Sequence, residues 1–178
     1  MIEEKVILVD KLDNQIGLMN KQEAHIKGVL HRAFSIFIFN SNNELLLQQR
    51  AFEKYHSAGL WTNTCCSHPR NNESLLDAAN RRLNEEMGMK CRLNKSFDFI
   101  YNAKMPNDLI EHEFDHVLFG FSNDFPKINK EEVFDFKYMS INDIKLDIKN
   151  HSNHYTEWFK ICFNEVVKRI KLINNELR

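Results

Sequence analysis

The run Thr62-Asn63-Thr64-Cys65-Cys66-Ser67-His68-Pro69 sets a thiol two residues before an imidazole. A thiol can serve as a nucleophile or a proton donor, and a neutral imidazole is the commonest metal ligand. A second reactive run, Glu111-His112-Glu113-Phe114-Asp115, alternates acids with other residues. In a strand alternate residues share a face, so Glu111, Glu113 and Asp115 would stack beside Leu109, Val117 and Phe119. Part of such a face is buried, and a buried carboxylate needs a counter-charge or a proton. A bound cation supplies the first; an exposed acidic edge is the plain alternative. His112 and His116 fall on the opposite face with Phe114 and read as ordinary half-buried histidines.

Glu85 and Glu86 end a helical stretch, where the aligned peptide dipoles make a carboxylate unfavourable by roughly 0.3–1 kcal/mol. Arg81 and Arg82, four residues earlier, could pair with them, and a bound cation would offset the penalty. His25 and His31 flank a short loop, and each alone reads as structural. With His68 they make three imidazoles which, beside two carboxylates, suit a divalent transition metal. A structural zinc site built from Cys65 or Cys66 competes with this, but the paired Cys-x-x-Cys spacing is missing.

The elements that must hold these groups follow from periodicity. Val6 to Val9 and Ile16 to Met19 read as strands joined by a turn at Asp13-Asn14, and Asn20 caps a short helical turn over Lys21 to His25. His31 to Asn40 is apolar on both faces, with Phe34, Ile36 and Ile38 opposite Phe37 and Phe39, as in a sheet covered on both sides. Ser41-Asn42-Asn43 turns into a partner strand from Glu44 to Arg50. Glu73 to Met87 carries the stripe Leu75, Ala79, Leu83, Met87 and stops at Gly88, which defines a helix. Phe97 to Tyr101, Leu109 to Phe121 and Val133 to Met139 read as strands, and Ser140 caps a short helix. Tyr155 to Ile173 is a long amphipathic helix with Phe159, Phe163, Val166, Ile170 and Ile173 on one stripe. The expected architecture is α/β (α+β): one domain, residues 1–178, with a mixed sheet between helices and a long C-terminal helix.

Composition narrows the function. The 178 residues can bury a core without staples, and 43% hydrophobic content excludes disorder. A formal net charge of -1 argues against a general nucleic-acid or membrane binder. No apolar run is long enough to span a bilayer, and the N-terminus does not resemble a signal peptide. The four cysteines are therefore expected to be reduced thiols in a cytoplasmic protein. The five glycines are scattered, which excludes a glycine-rich phosphate loop; phosphate binding would fall to side chains and metal ions. No nucleic-acid, membrane or protein partner is expected.

Two resemblances bear on these residues. From Ser67 to Met89 the chain resembles a degenerate Nudix box: Glu73, Arg81, Leu83, Glu85, Glu86, Gly88 and Met89 match, and Ser67 replaces the first glycine. Arg82 stands where Nudix hydrolases keep an acid used around magnesium, which argues against diphosphate hydrolysis. The second resemblance covers nearly the whole chain. Trp61 to Pro69, the Glu111-His112-Glu113 stretch, His25, His31, Tyr101 and Trp158 fall in order on the motifs of the type I isopentenyl-diphosphate isomerases, a branch of the Nudix fold.

That resemblance implies a Nudix-like fold and a set of roles. His25, His31, His68, Glu111 and Glu113 would bind one Mn2+ or Zn2+ ion. Cys66 and Glu113 would be the catalytic pair, assisted by Tyr101 and Trp158. Glu86 and the main-chain carbonyl of Cys66 would hold a Mg2+ ion on the substrate diphosphate. Lys21, Arg50, Lys54 and Arg82 would supply positive charge there, with His68 also at the substrate. The reaction implied is protonation of an alkene to a tertiary carbocation and loss of a different proton, moving the double bond. A Nudix hydrolase of nucleoside diphosphate derivatives and a catalytically dead metal-binding module are the rival readings. Core packing is the plain alternative for Trp158, and a small buried thiol is the preferred reading of Cys65.

Overall fold

The strand that is apolar on both faces forms the hub of the sheet. In the computed structural model, which describes residues 4–176, the strands are β1 (Lys5–Val9), β2 (Gln15–Asn20), β3 (His31–Phe39), β4 (Glu44–Arg50), β5 (Trp61–Thr62), β6 (Cys65–Ser67), β7 (Leu93–Lys104), β8 (Ile110–Phe121) and β9 (Val133–Ser140). The helices are α1 (Lys21–Lys27), α2 (Leu75–Met87), α3 (Ile141–Asn150) and α4 (Glu157–Glu176), with a 3-10 turn at Ser152–His154. β3 pairs antiparallel with β1, β4 and β6, and parallel with β8. β7 pairs with β8, β2 with β1, and β9 with β4.

Alternation along β3 divides the core as the pattern requires. Phe37 and Phe39 join Val117, Phe119, Phe159, Phe163 and Ile170 under α4, while Phe34, Ile36 and Ile38 join Ala79, Leu83 and Met87 under α2. The sheet is thus covered on both faces by helices, and the long C-terminal helix supplies one cover. Phe37 and Phe159 stack with centroids 6.1 Å apart. Truncating a phenylalanine in such a position typically costs about 3–5 kcal/mol.

Several boundaries differ from the sequence reading for local reasons. The second helix begins two residues later than Glu73, at Leu75, because Ser74 is the N-cap and accepts from the Asp77 amide. Glu73 instead accepts from the Arg70 amide and pairs with Arg81 at 2.7 Å. Gly88 ends this helix at φ 62, where an added Cβ would fall 2.5 Å from the Lys127 carbonyl oxygen. β7 runs well beyond Phe97 to Tyr101 because β8 supplies a partner along its length. β5 and β6 are too short to show a period and went unread. The reversal between β1 and β2 is organised by Asp10, whose carboxylate accepts from the amides of Leu12 and Asn14, rather than by Asp13-Asn14 alone. No helix among the described residues is long and apolar enough to cross a membrane.

Candidate active site

Strand register assembles the site. His31 opposes Glu113 across the parallel β3–β8 pair, and Tyr101 opposes Glu113 across β7–β8. Ser35 opposes Cys66 across β3–β6. Glu111 and Glu113 share a face of β8 and are both buried. The Asn20 side chain caps α1 by accepting from the Gln22 and Glu23 amides, and Gly28 closes it in the left-handed region. That short helix turns His25, 1% exposed, towards Glu111.

The Thr62-Asn63-Thr64 run is the frame beneath Cys66. Thr64 Oγ1 donates to the Leu46 carbonyl and accepts from the Ile38 amide, bridging β4 and β3. Asn63 donates to the carbonyls of Ile36 and Cys65 and accepts from Trp158 Nε1 at 3.2 Å. Thr156 donates to Thr62 Oγ1 at 2.9 Å. Buried polar groups without partners cost about 1–3 kcal/mol each, so this fully bonded run fixes α4 and the cysteine strand together.

Four buried groups, His25, His31, His68 and Glu113, offer ligand atoms all within 4.8 Å of one another, and His25, His56 and Glu111 form an adjoining set. His68 Nε2 lies 2.9 Å and His31 Nε2 3.6 Å from Glu113 Oε1. His25 Nε2 lies 3.5 Å from Glu111 Oε2. His25 Nε2, His31 Nε2 and Glu111 Oε2 are buried with no hydrogen-bond partner, which is the arrangement a divalent cation would satisfy. Their nitrogen and oxygen chemistry fits zinc or manganese. Asp115 is also buried on this face, but it accepts from the Ser35 hydroxyl at 2.7 Å and lies outside both sets.

The charge states follow from burial and neighbours. Burial lowers the His25 pKa to about 4 against the pull of Glu111, and burial, with Lys21 and His31 adding to it, puts His68 well below the ordinary imidazole range. Neutral imidazoles are the form that binds metal. Burial opposes charge on His31 and on Glu113 alike, but their mutual bond outweighs it. Glu113 is held down to about 2 and His31 is raised. Burial pushes the Cys66 thiol up to about 12, with Arg50 opposing it, and drives Asp115 well above the carboxylate range. The thiol therefore carries its proton while Glu113 is ionised.

A cavity of about 250 Å³ brings together Cys66, His68, Glu111, Glu113, Tyr101 and Trp158 with Lys21, Arg50, Lys54, Arg82 and Glu86. His25 and His31 contact its floor through Glu111 and Glu113. The Tyr101 hydroxyl donates to Glu113 Oε2 at 2.6 Å. The Arg50 guanidinium lies 5.4 Å from the Trp158 ring centroid. Arg82 donates to Glu86 at 2.5 Å and to Glu85 at 2.9 Å, and Gln48 donates to the other Glu86 oxygen at 2.9 Å. Lys21 pairs with Glu4 at 3.1 Å, and Lys54 pairs with Glu132, which also lies 3.4 Å from Arg82. His112 bonds the Gly28 carbonyl and His116 bonds Asp13, so both stay outside the cluster as read. Cys65 is fully buried. Tyr55, His56, Gln48 and Glu132 were missed; His56 could have been suspected as a histidine beside Lys54.

The NUDIX domain family model matches residues 29–159. Isopentenyl-diphosphate Delta-isomerase 2 of Photorhabdus laumondii is 53% identical over 163 residues, 92% of each chain. Isopentenyl-diphosphate Delta-isomerase of Pectobacterium atrosepticum is 51% identical over 162 residues, 91% of this chain and 90% of the relative. The crystal structure of the MutT protein from Methanosarcina mazei Go1 superposes with a TM-score of 0.65 at 18% identity, covering 80% of this chain and 96% of that one.

Proposed function

The chain belongs to the NUDIX domain family and, within it, to the isopentenyl-diphosphate Delta-isomerases, and from that premise we propose that Cys66 and Glu113 are its catalytic pair. The protein is an isomerase that interconverts isopentenyl and dimethylallyl diphosphate in isoprenoid precursor biosynthesis. The observation that carries the residue assignment is that the Cys66 thiol and the Glu113 carboxylate line the same cavity, with the Tyr101 hydroxyl bonded to the carboxylate. Moving a double bond through a tertiary carbocation needs one group to give a proton and another to take a different one. Because the reaction is an interconversion, the donor in one direction is the acceptor in the other.

The surroundings support this. The Tyr101 hydroxyl orients the Glu113 carboxylate. Trp158 is held by Asn63 and presents its ring to the cavity, where cation–π attraction can stabilise a developing carbocation by about 2 kcal/mol when desolvated. Phe34, Tyr101 and Trp158 give part of the cavity an aromatic surface among its charged groups.

His25, His31, His68, Glu111 and Glu113 would hold one Zn2+ or Mn2+ ion, and Glu86 with the Cys66 main-chain carbonyl would hold Mg2+ on the diphosphate. When bound, the first ion tunes the acidity of Glu113 and the second neutralises phosphate charge. Gln48 and Arg82 fix the Glu86 carboxylate from both sides. Lys21, Arg50, Lys54 and Arg82 would receive the diphosphate. A cytoplasmic location belongs to the same reading and is supported by four free thiols.

The test is incubation of the purified chain with isopentenyl diphosphate, magnesium and zinc or manganese, assaying acid-labile allylic product and released phosphate together. Allylic product without phosphate, lost in Cys66→Ala and Glu113→Gln, is the expected result. Phosphate without allylic product would return the chain to the NUDIX hydrolases.

A further inference from the structure

The segment between β4 and β5, residues 51–60, touches the metal cluster with two consecutive side chains. The loop is closed at its base by the Arg50 amide on the Leu60 carbonyl at 2.9 Å and the Gly59 amide on the Arg50 carbonyl at 3.1 Å. The Tyr55 oxygen lies 2.6 Å from His25 Nδ1, and His56 Nε2 lies 3.0 Å from Glu111 Oε1. Each contact occupies the outward atom of a candidate ligand. The inward atoms, His25 Nε2 and Glu111 Oε2, face each other at 3.5 Å and are left buried without partners.

We infer that Tyr55 and His56 are positioning residues of the metal site, clasping His25 and Glu111 from outside so that their free atoms converge on the ion. The inference deepens, and rests on, the reading of the His/Glu cluster as a metal site. With the Nδ1 proton of His25 donated to the Tyr55 oxygen, Nε2 keeps its bare lone pair for the metal. With the His56 Nε2 proton donated to Oε1, the Glu111 carboxylate cannot rotate Oε2 away. Groups that fix a ligand's tautomer and orientation in this way typically govern metal affinity by about 10–100-fold.

The loop is itself held in place. His56 Nδ1 lies 3.3 Å from Ser57 Oγ, its ring meets the Trp158 ring edge-on at 6.1 Å, and its carbonyl accepts from Arg50. Ser57 sits at φ 50, a conformation a serine keeps only when its surroundings determine it. On the outer side Lys54 is tied to Glu132, and Lys21 lies 5.9 Å from the Tyr55 ring centroid. Lys54, Tyr55 and His56 thus join the diphosphate cations to both sets of metal ligands within three residues.

The test is zinc affinity of the full chain, measured by competition with a chromophoric chelator, together with the melting temperature with and without zinc. Tyr55→Phe and His56→Ala should each weaken zinc binding by about 10–100-fold and shrink the zinc-induced rise in melting temperature, and Tyr55→Phe should leave the metal-free melting temperature near wild type. His56→Gln, which can still donate to Glu111, should recover most of the affinity. Zinc binding as tight as wild type in both Tyr55→Phe and His56→Ala would overturn the inference. So would an affinity loss in Tyr55→Phe matched by an equal loss of metal-free stability. Should His56→Ala fail to fold, Tyr55→Phe decides alone, because that ring is 43% exposed and supports little of the core. A wild-type chain that binds no zinc or manganese would instead refute the metal site itself, a separate outcome.

Discussion

The Tyr101 hydroxyl donates to Glu113 Oε2 at 2.6 Å, from directly across the β7–β8 pair. A hydrogen bond to an ionised carboxylate favours the charged form, so this contact helps hold Glu113 low, along with His31. Tyr101→Phe removes the bond without opening a cavity. Its loss should slow isomerisation by roughly tenfold to a hundredfold, in line with about 1.5–3 kcal/mol for a bond to a charged group. The Glu113 pKa should rise, moving the acid limb of the pH–rate profile to higher pH. An unmoved acid limb would show that the tyrosine acts on packing alone.

Cys66→Ala and Glu113→Gln should each abolish turnover while leaving the fold intact, because both side chains line the cavity and each substitution nearly preserves their shape. General acid–base groups typically contribute about 10²–10⁴-fold each. Circular dichroism and melting temperature check the fold, and allylic product formation checks the activity. Wild-type-like turnover in either variant would remove that residue from the pair.

His68→Ala should lower bound zinc or manganese after dialysis, since the imidazole meets Glu113 at 2.9 Å within the ligand cluster. Chelation of the wild type should reproduce the variant's loss of activity. Metal content equal to wild type would exclude His68 from the ligands.

How much of this was legible in the sequence depends on the range of the interaction involved. The β8 alternation, Glu111 and Glu113 against His112, follows from strand geometry and survived intact. The split of Phe34 and Phe37 onto opposite faces did so for the same reason. Residue type alone suggested His25, His31 and His68 as candidate ligands, and the resemblance named the set; the approach of His25 to Glu111 depends on α1 folding back against β8, which no spacing shows. The framing role of Asn63 is invisible in one dimension: it depends on Trp158, on a distant helix, and on a strand too short to have a period. Tyr55 and His56 lie in a loop, where no periodicity exists to point inwards.

Asp115 yields a signed pH prediction. Burial raises its pKa well above the ordinary carboxylate value, with Glu113 adding to the effect. The folded chain therefore binds a proton that the unfolded chain releases above about pH 4. This group favours folding most below that value and its contribution is lost as pH rises towards the folded-state pKa. Asp115→Asn keeps an oxygen for the Ser35 hydroxyl without the charge. The variant should therefore gain melting temperature relative to wild type at pH 7, and gain less at pH 4. An equal change at both values would mean that Asp115 titrates normally.

Arg82 stands at the position where a hydrolase box carries an acid, and here it bonds Glu85, Glu86 and, at 3.4 Å, Glu132. Arg82→Glu would restore the hydrolase pattern on paper. In this site it would put a fourth acid beside Glu85, Glu86 and Glu132 and leave the buried Glu86 without its guanidinium, a loss that typically costs about 3–5 kcal/mol. The expected outcome is lower stability, a raised KM for isopentenyl diphosphate and no phosphate release. Arg82→Lys, which keeps the charge but not the forked contacts, should retain the fold with a smaller rise in KM. Phosphate release by Arg82→Glu would mean that a single side chain separates isomerase from hydrolase in this fold.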